Sequence, residues 1–288
     1  MTDAEEKRIN LARSAGEEEI VGFLHDVSPN VIRALLRNTH LNEKNVLVIT
    51  TRKNLPGDIF EMIAQNKRWA ESYPIRLALA KNPKTPLSIS LSIARYIRLF
   101  DLAEISRSRF LPIVFRHKLE AILIEKIPSM ALGVKKTLAK IVSGEVLLML
   151  IHDGYPEVVK LCLDSPYLLE SHLYKVLSRH NTMPGTVKAI AEHKNWSNRS
   201  MIKFALIRNR HTPLSLSVQF LAAMKIVDLR ELYNDPSVSV TIKPFINRKL
   251  RERGEEPDKA TEEQVYEIDE EDDKMLEQFK DTQEQPRE

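Results

Sequence analysis

Three kinds of side chain here have the chemistry to act on another molecule: histidine, tryptophan, and clustered lysine and arginine. The histidines stand at positions 25, 40, 117, 152, 172, 180, 193 and 211. Acid–base or metal chemistry needs several of them, with carboxylates, at ligand spacing. His25-Asp26 and His152-Asp153 come nearest, since the same dipeptide occurs twice before a turn. A structural role explains them more simply: His near a helix C-terminus meets the negative end of the dipole, and Asp caps the next helix. His172 and His180 are about two helical turns apart with no carboxylate between them, and read as solvated or stacking side chains. There is no HExxH and no G-x-S-x-G. With 8 glycines in 288 residues, neither a dinucleotide fingerprint nor a Walker loop is present. A single cysteine, Cys162 in "VVKLCLDS", excludes a disulfide framework and reads as a small core residue. The expectation is a non-enzyme with no cofactor and no metal.

Tryptophan and the basic residues are more suggestive, because they occur in matched pairs. Trp69 follows "NKR" and Trp196 follows "HKN". An indole beside basic residues either packs between helices or stacks on a ligand or base, so both are candidate surface aromatics. Lys67 pairs with Lys194, Arg76 with Lys203 and Lys81 with Arg208, always 127 residues apart. These six are the candidate partner-binding positions. If helices stack in register, Arg76, Lys81, Lys203 and Arg208 form a basic ridge.

The pairing reflects a tandem duplication. "AKNPKTPLSISLSIARYIRLFDLAEI" from Ala80 matches "IRNRHTPLSLSVQFLAAMKIVDLREL" from Ile207. His25-Asp26, Pro29 and Leu41 fall on His152-Asp153, Pro156 and Leu168 at the same offset, while "NLPG" at Asn54 matches "TMPG" at Thr182 with a one-residue slip. Caps and apolar periods predict about sixteen to eighteen helices of about 8–15 residues, joined by links of about 2–5. Thr85 is expected as an N-cap with Pro86 at the first helical position, Asp101 as the cap of a short helix, and Thr212, Pro213 and Asp228 as their counterparts. Short helices cannot bury their apolar faces alone, so neighbours must stack.

Asn82-Pro83-Lys84-Thr85-Pro86 and Asn209-Arg210-His211-Thr212-Pro213, each after "IRLALAKN" or "IKFALIRN", resemble the punctuation of the bacterial HEAT-like family and its leucine-rich-repeat-variant relatives. The resemblance covers roughly 20–251. It implies an all-α, right-handed α-solenoid serving as a protein scaffold. The cysteine cluster that holds an iron–sulfur site in some variant-repeat proteins is missing. The expected organisation is a solenoid over 1–253, with super-repeats at about 14–127 and 141–251, followed by an acidic tail over 254–288.

Charge separates the two regions. Residues 254–288 hold 4 Lys/Arg and 15 Asp/Glu, a net of −11, whereas residues 1–253 hold 39 and 25, a net of +14. A basic body attracts an acidic protein or peptide, or a polyanion. The tail is expected to be disordered. Its apolar clusters, Val265, Tyr266 and Ile268, then Met275, Leu276 and Phe279, read either as incidental or as a docking segment for a partner or for the body's own basic surface. The polar start of the chain and the lack of a long apolar run suggest a cytoplasmic protein with no integral membrane segment. The first functional expectation is therefore a scaffold or adaptor that binds a protein partner. Nucleic-acid binding is the alternative. Some HEAT-like solenoids are similar to alkylpurine DNA glycosylases, but that activity needs an acid and aromatics in a basic concavity. Glu71, Asp101, Glu104, Asp228 and Glu231 read instead as caps or surface partners.

Deleting residues 254–288 is expected to raise affinity for a polyanion at low salt. Equal mobility-shift titrations of full-length and truncated protein would argue against a self-masking tail.

Overall fold

Prolines and short polar side chains cut the chain into short helices. Ser28 accepts from the Asn30 N–H, Asn42 from Asn45 and Ser72 from Ile75, so each closes a helix N-terminus. Proline occupies a first-turn position of several helices, where its missing N–H leaves no bond unmade. The computed structural model describes residues 3–255. All regular structure among them is helical: 18 α-helices and two short 3-10 turns.

The chain divides into two compact units that part between Val146 and Leu147. The first holds α1 (Asp3–Ser14), α2 (Glu17–Phe23), α3 (Pro29–Leu35), α4 (Glu43–Thr51), α5 (Gly57–Gln65), α6 (Tyr73–Lys81), α7 (Leu87–Ile93), α8 (Leu99–Ser106), α9 (Ile113–Lys126) and α10 (Leu132–Leu138). The division falls within α11 (Gly144–Asp153). The second unit continues with α12 (Pro156–Leu163), α13 (Glu170–Leu177), α14 (Pro184–Glu192), α15 (Ser200–Arg208), α16 (Leu214–Ala222), α17 (Ile226–Asn234) and α18 (Lys243–Glu252). The bounds of α5 and α6 recur 127 positions later in α14 and α15.

Packing follows a repeating rule. Helices meet the element two places further on: α1 with α3, α3 with α5, α4 with α6, and α6 with α8. In the second unit α12 meets α14, α13 meets α15, and α16 meets α18. The interior of the first unit is built from Ile20, Ile32, Leu35, Ile49, Phe60 and Ile75. That of the second includes Val158, Leu173, Ile190, Ile202 and Leu229. Each such side chain contributes roughly 1.5–3 kcal/mol of burial.

Burying short helices creates a polar problem, because the last four carbonyls of each helix lack partners within it. Side-chain amides supply them. Asn38 Nδ2 donates to the Ala12 and Ala15 carbonyls at 3.0 and 2.9 Å. Asn82 Nδ2 donates to Thr50 and Arg52 at 2.7 and 2.8 Å, and Asn209 Nδ2 to Leu177 at 2.7 Å. Each Oδ1 accepts the N–H two residues on, from His40, Lys84 or His211, which fixes the amide's orientation. Arginines do similar work: Arg52 binds the Leu24 and Asp26 carbonyls, and Arg68 those of Asn38, Thr39 and Leu41.

Several local expectations are corrected. Thr85 does not cap α7. Its Oγ1 donates to the Leu79 carbonyl at 2.8 Å, and Thr212 does the same to Leu206, so each threonine closes the preceding helix. The carbonyl end of that helix is where an acceptor lacks a donor, and Pro86 or Pro213 stands in the N-cap position instead. Asp101 and Asp228 lie in the first turns of α8 and α17, whose N-caps are Arg98 and Lys225. The Asp101 carboxylate accepts from the Tyr73 hydroxyl. Helix α1 escapes a sequence reading because its apolar signal is weak: Ala12 is its one buried side chain. The tail clusters Val265, Tyr266 and Ile268, and Met275, Leu276 and Phe279, lie outside the described residues.

Asn82→Ala should lower the urea midpoint of the full chain by the equivalent of about 1–3 kcal/mol, since buried carbonyls lose their donors. Asn181→Ala, on an exposed turn, should stay within about 0.5 kcal/mol. Equal shifts would show the clamp to be dispensable.

Candidate binding surface and cleft

Both tryptophans are buried, Trp69 with 6% and Trp196 with 8% of its surface exposed, which corrects their reading as surface aromatics. The Trp196 Nε1–H donates to the Leu163 carbonyl at 2.8 Å, capping α12, and Arg199 stacks on its ring at 5.0 Å. Arg68 stacks on Trp69 at 4.5 Å, but Trp69 Nε1 has no hydrogen-bond partner among the described residues. A flat apolar group between helices fills space that the short aliphatic residues leave. That is why the pair recurs in register.

The six basic positions meet different fates. Lys67 and Lys194 are exposed at the turns before the tryptophans, and Lys203 is half-buried on α15. Lys81 Nζ lies 2.8 Å from Glu104 on α8, and Arg208 reaches Glu231 at 3.1 Å and Asp235 at 2.6 Å. Glu104 and Glu231 are themselves 127 apart, so the same tie recurs within each unit. Lys81 and Arg208 are therefore corrected from free ridge charges to ion-paired residues. Exposed pairs of this kind contribute about 0–1 kcal/mol each. Arg76 has no carboxylate partner among the described residues: its Nε donates to the Ala70 carbonyl at 2.5 Å and its guanidinium lies over the Tyr96 ring at 4.6 Å.

The histidines do not gather. His25 and His152 are exposed. His172 is buried, and its Nδ1 accepts the Leu169 N–H at 3.1 Å, so it closes the start of α13 rather than standing in solvent. Asp26, expected to cap α3, instead accepts the Ser28 N–H at 2.8 Å, and Ser28 is the cap. Among the described residues no group of three or more His, Cys, Asp or Glu is placed to hold a metal. Burial pushes the Cys162 thiol up to about 12, away from thiolate chemistry. No helix among the described residues is long and apolar enough to cross a membrane.

One concave feature lies wholly inside the first unit. A cleft of about 340 Å³ opens between α5, α6 and α7 and is lined by Trp69, Arg76, Leu79, Ile93, Arg95 and Tyr96, among others. Comparison of the chain with protein-family models, with curated proteins and with solved structures returns no match. The cleft is thus read from its own chemistry. It brings together two expected residues, Trp69 and Arg76, and two that sequence reasoning passed over. The missed signal is a divergence: Arg95-Tyr96 in one copy stands opposite Ala222-Ala223 in the other.

Asp235 is held below the usual carboxylate range, first by the Ser237 hydroxyl at 2.6 Å and further by the Ser237 N–H and Arg208. A depressed folded-state pKa gives stability that is present above the unfolded value, about 3.9, and lost as pH falls through the folded value. Asp235→Asn should therefore lower stability by about 1 kcal/mol at neutral pH, and the two melting curves should converge in acid as the Asp235 carboxylate takes up its proton. A gap independent of pH would refute the assignment.

Proposed function

We propose that this protein is a non-enzymatic scaffold or adaptor of the HEAT-like kind, a right-handed solenoid of two super-repeats of about 127 residues that binds an acidic protein or peptide. The observation that carries the proposal is the register of the frame. Helix bounds, amide clamps at Asn82 and Asn209, threonine closures at Thr85 and Thr212, and the Lys81–Glu104 and Arg208–Glu231 ties all recur at one offset. Duplicating a frame in this way enlarges a surface, and an enlarged surface serves binding.

The recognition chemistry rests on the basic side chains outside that frame. Lys67 and Lys194 are exposed, and Lys203 has no carboxylate partner among the described residues. They suit steering of an acidic segment by long-range attraction. The net charge of +14 over residues 1–253 also favours a second reading, contact with nucleic-acid phosphates, which needs no base-reading motif. Glu255, where the acidic segment begins, is already paired with Arg230, which supports the idea that the tail folds back on basic surface. A protein acting this way is expected in the cytoplasm.

Fluorescence anisotropy with a labelled oligoglutamate peptide and a labelled DNA duplex, at two salt concentrations, tests both readings. The triple variant Lys67→Glu, Lys194→Glu, Lys203→Glu should weaken peptide binding by about tenfold while leaving the melting temperature unchanged. Undiminished peptide binding by the variant would overturn the assignment of these lysines. Tighter binding of the duplex, with a steep salt dependence, would favour the second reading.

A further inference from the structure

We infer that the cleft of the first unit is a binding site for a small organic oxyanion, a phosphate or carboxylate carried on a flat apolar body. The inference rests on the cleft alone and stands whether or not the chain is a scaffold.

Three observations carry it. First, the lining holds two guanidiniums and no acid. Arg76 and Arg95 both lie against the Tyr96 ring, at 4.6 and 5.5 Å from its centroid. Neither has a carboxylate partner among the described residues, whereas Arg33, Arg199, Arg208 and Arg230 are each ion-paired. Like charges gathered in a cleft with apolar walls focus a positive potential there. Second, one guanidinium is pre-positioned. Arg76 is held through its Nε on the Ala70 carbonyl, while Arg95 is exposed with its Nε 3.5 Å from the Ser92 carbonyl, so the terminal nitrogens of both remain available. Arginine held in this way binds an oxyanion through two parallel N–H donors. Third, most of the remaining lining is apolar or aromatic, with Trp69, Leu79 and Ile93 facing the same space beside the neutral polar Gln65 and Ser92, and Tyr96 half exposed at 53%. A volume of about 340 Å³ is at the small end for ligand pockets and suits a small molecule with one ring.

The second unit provides an internal contrast. The positions equivalent to Arg76, Arg95 and Tyr96 are Lys203, Ala222 and Ala223, while Trp196 keeps the place of Trp69. The supporting frame is present twice, and the oxyanion chemistry once. Packing alone does not require Arg95-Tyr96, because the second unit packs without them.

Calorimetric titration of the full chain with phenyl phosphate, benzoate, inorganic phosphate and phenol tests the site. Trp69 emission in a Trp196→Phe background gives a second readout, since the chain has 2 tryptophans. Phenyl phosphate or benzoate is expected to bind saturably, one molecule per chain, and to perturb Trp69. Whichever of the two binds more tightly identifies the head group as phosphate or carboxylate. Phenol and inorganic phosphate should each bind at least about tenfold more weakly, as each lacks one half of the recognition. Arg95→Glu should weaken binding by about tenfold or more, the loss of a charge-assisted hydrogen bond, at an unchanged melting temperature. Tyr96→Ala, which leaves both arginines in place, should weaken it as well. No saturable binding of either aromatic anion, or binding untouched by both variants, would overturn the proposal.

Discussion

Everything in this fold depends on what becomes of the carbonyls at the ends of short helices. A helix of seven to nine residues has nearly as many unsatisfied carbonyls as satisfied ones, and stacking such helices takes water away from them. The chain answers with donors reaching back from the next layer. Asn38, Asn82, Asn209, Arg52 and Trp196 each bind a carbonyl between 23 and 33 residues upstream. The apolar interior supplies most of the free energy, and these bonds set the register in which it is supplied. A one-residue error in a link would strand a buried amide and a buried carbonyl together, and each orphan costs about 1–3 kcal/mol.

Much of this frame was legible in the sequence. Proline positions and the apolar period marked most helices to within a few residues, and the offset of 127 anticipated which helices share bounds. The errors have a common physical origin. A threonine before a proline satisfies either the helix behind it or the one ahead, and sequence spacing does not say which. Thr85 and Thr212 serve the helix behind, because its carbonyl is buried and needs a donor. The basic chain neighbours of the tryptophans left packing and ligand stacking both open, and packing holds: Arg68 and Arg199 stack on the rings and cover them. Glu104 and Glu231 read as caps or surface partners, and their partners, Lys81 and Arg208, lie 23 residues away on another helix, a distance that sequence spacing does not bridge.

The two copies divide the residues by role. Where both carry the same type at the same place, as at Asn82 and Asn209 or Thr85 and Thr212, the residue holds the frame. At Arg95-Tyr96 against Ala222-Ala223 the second unit packs without the pair, so in the first these side chains are released for other chemistry. A duplicated protein thus contains its own comparison, and the candidate cleft coincides with a difference between the copies.

The short reach of the clamps also bears on how the molecule comes into being. None of these clamps spans more than 33 residues, so each can close soon after its donor has been synthesised. Contacts so local carry little loop-closure entropy and favour rapid ordering from the N-terminus while the ribosome is still adding the second copy. Similar neighbouring segments invite mispairing during assembly. A first copy already locked by its own amides and arginines has few open carbonyls left to offer the second.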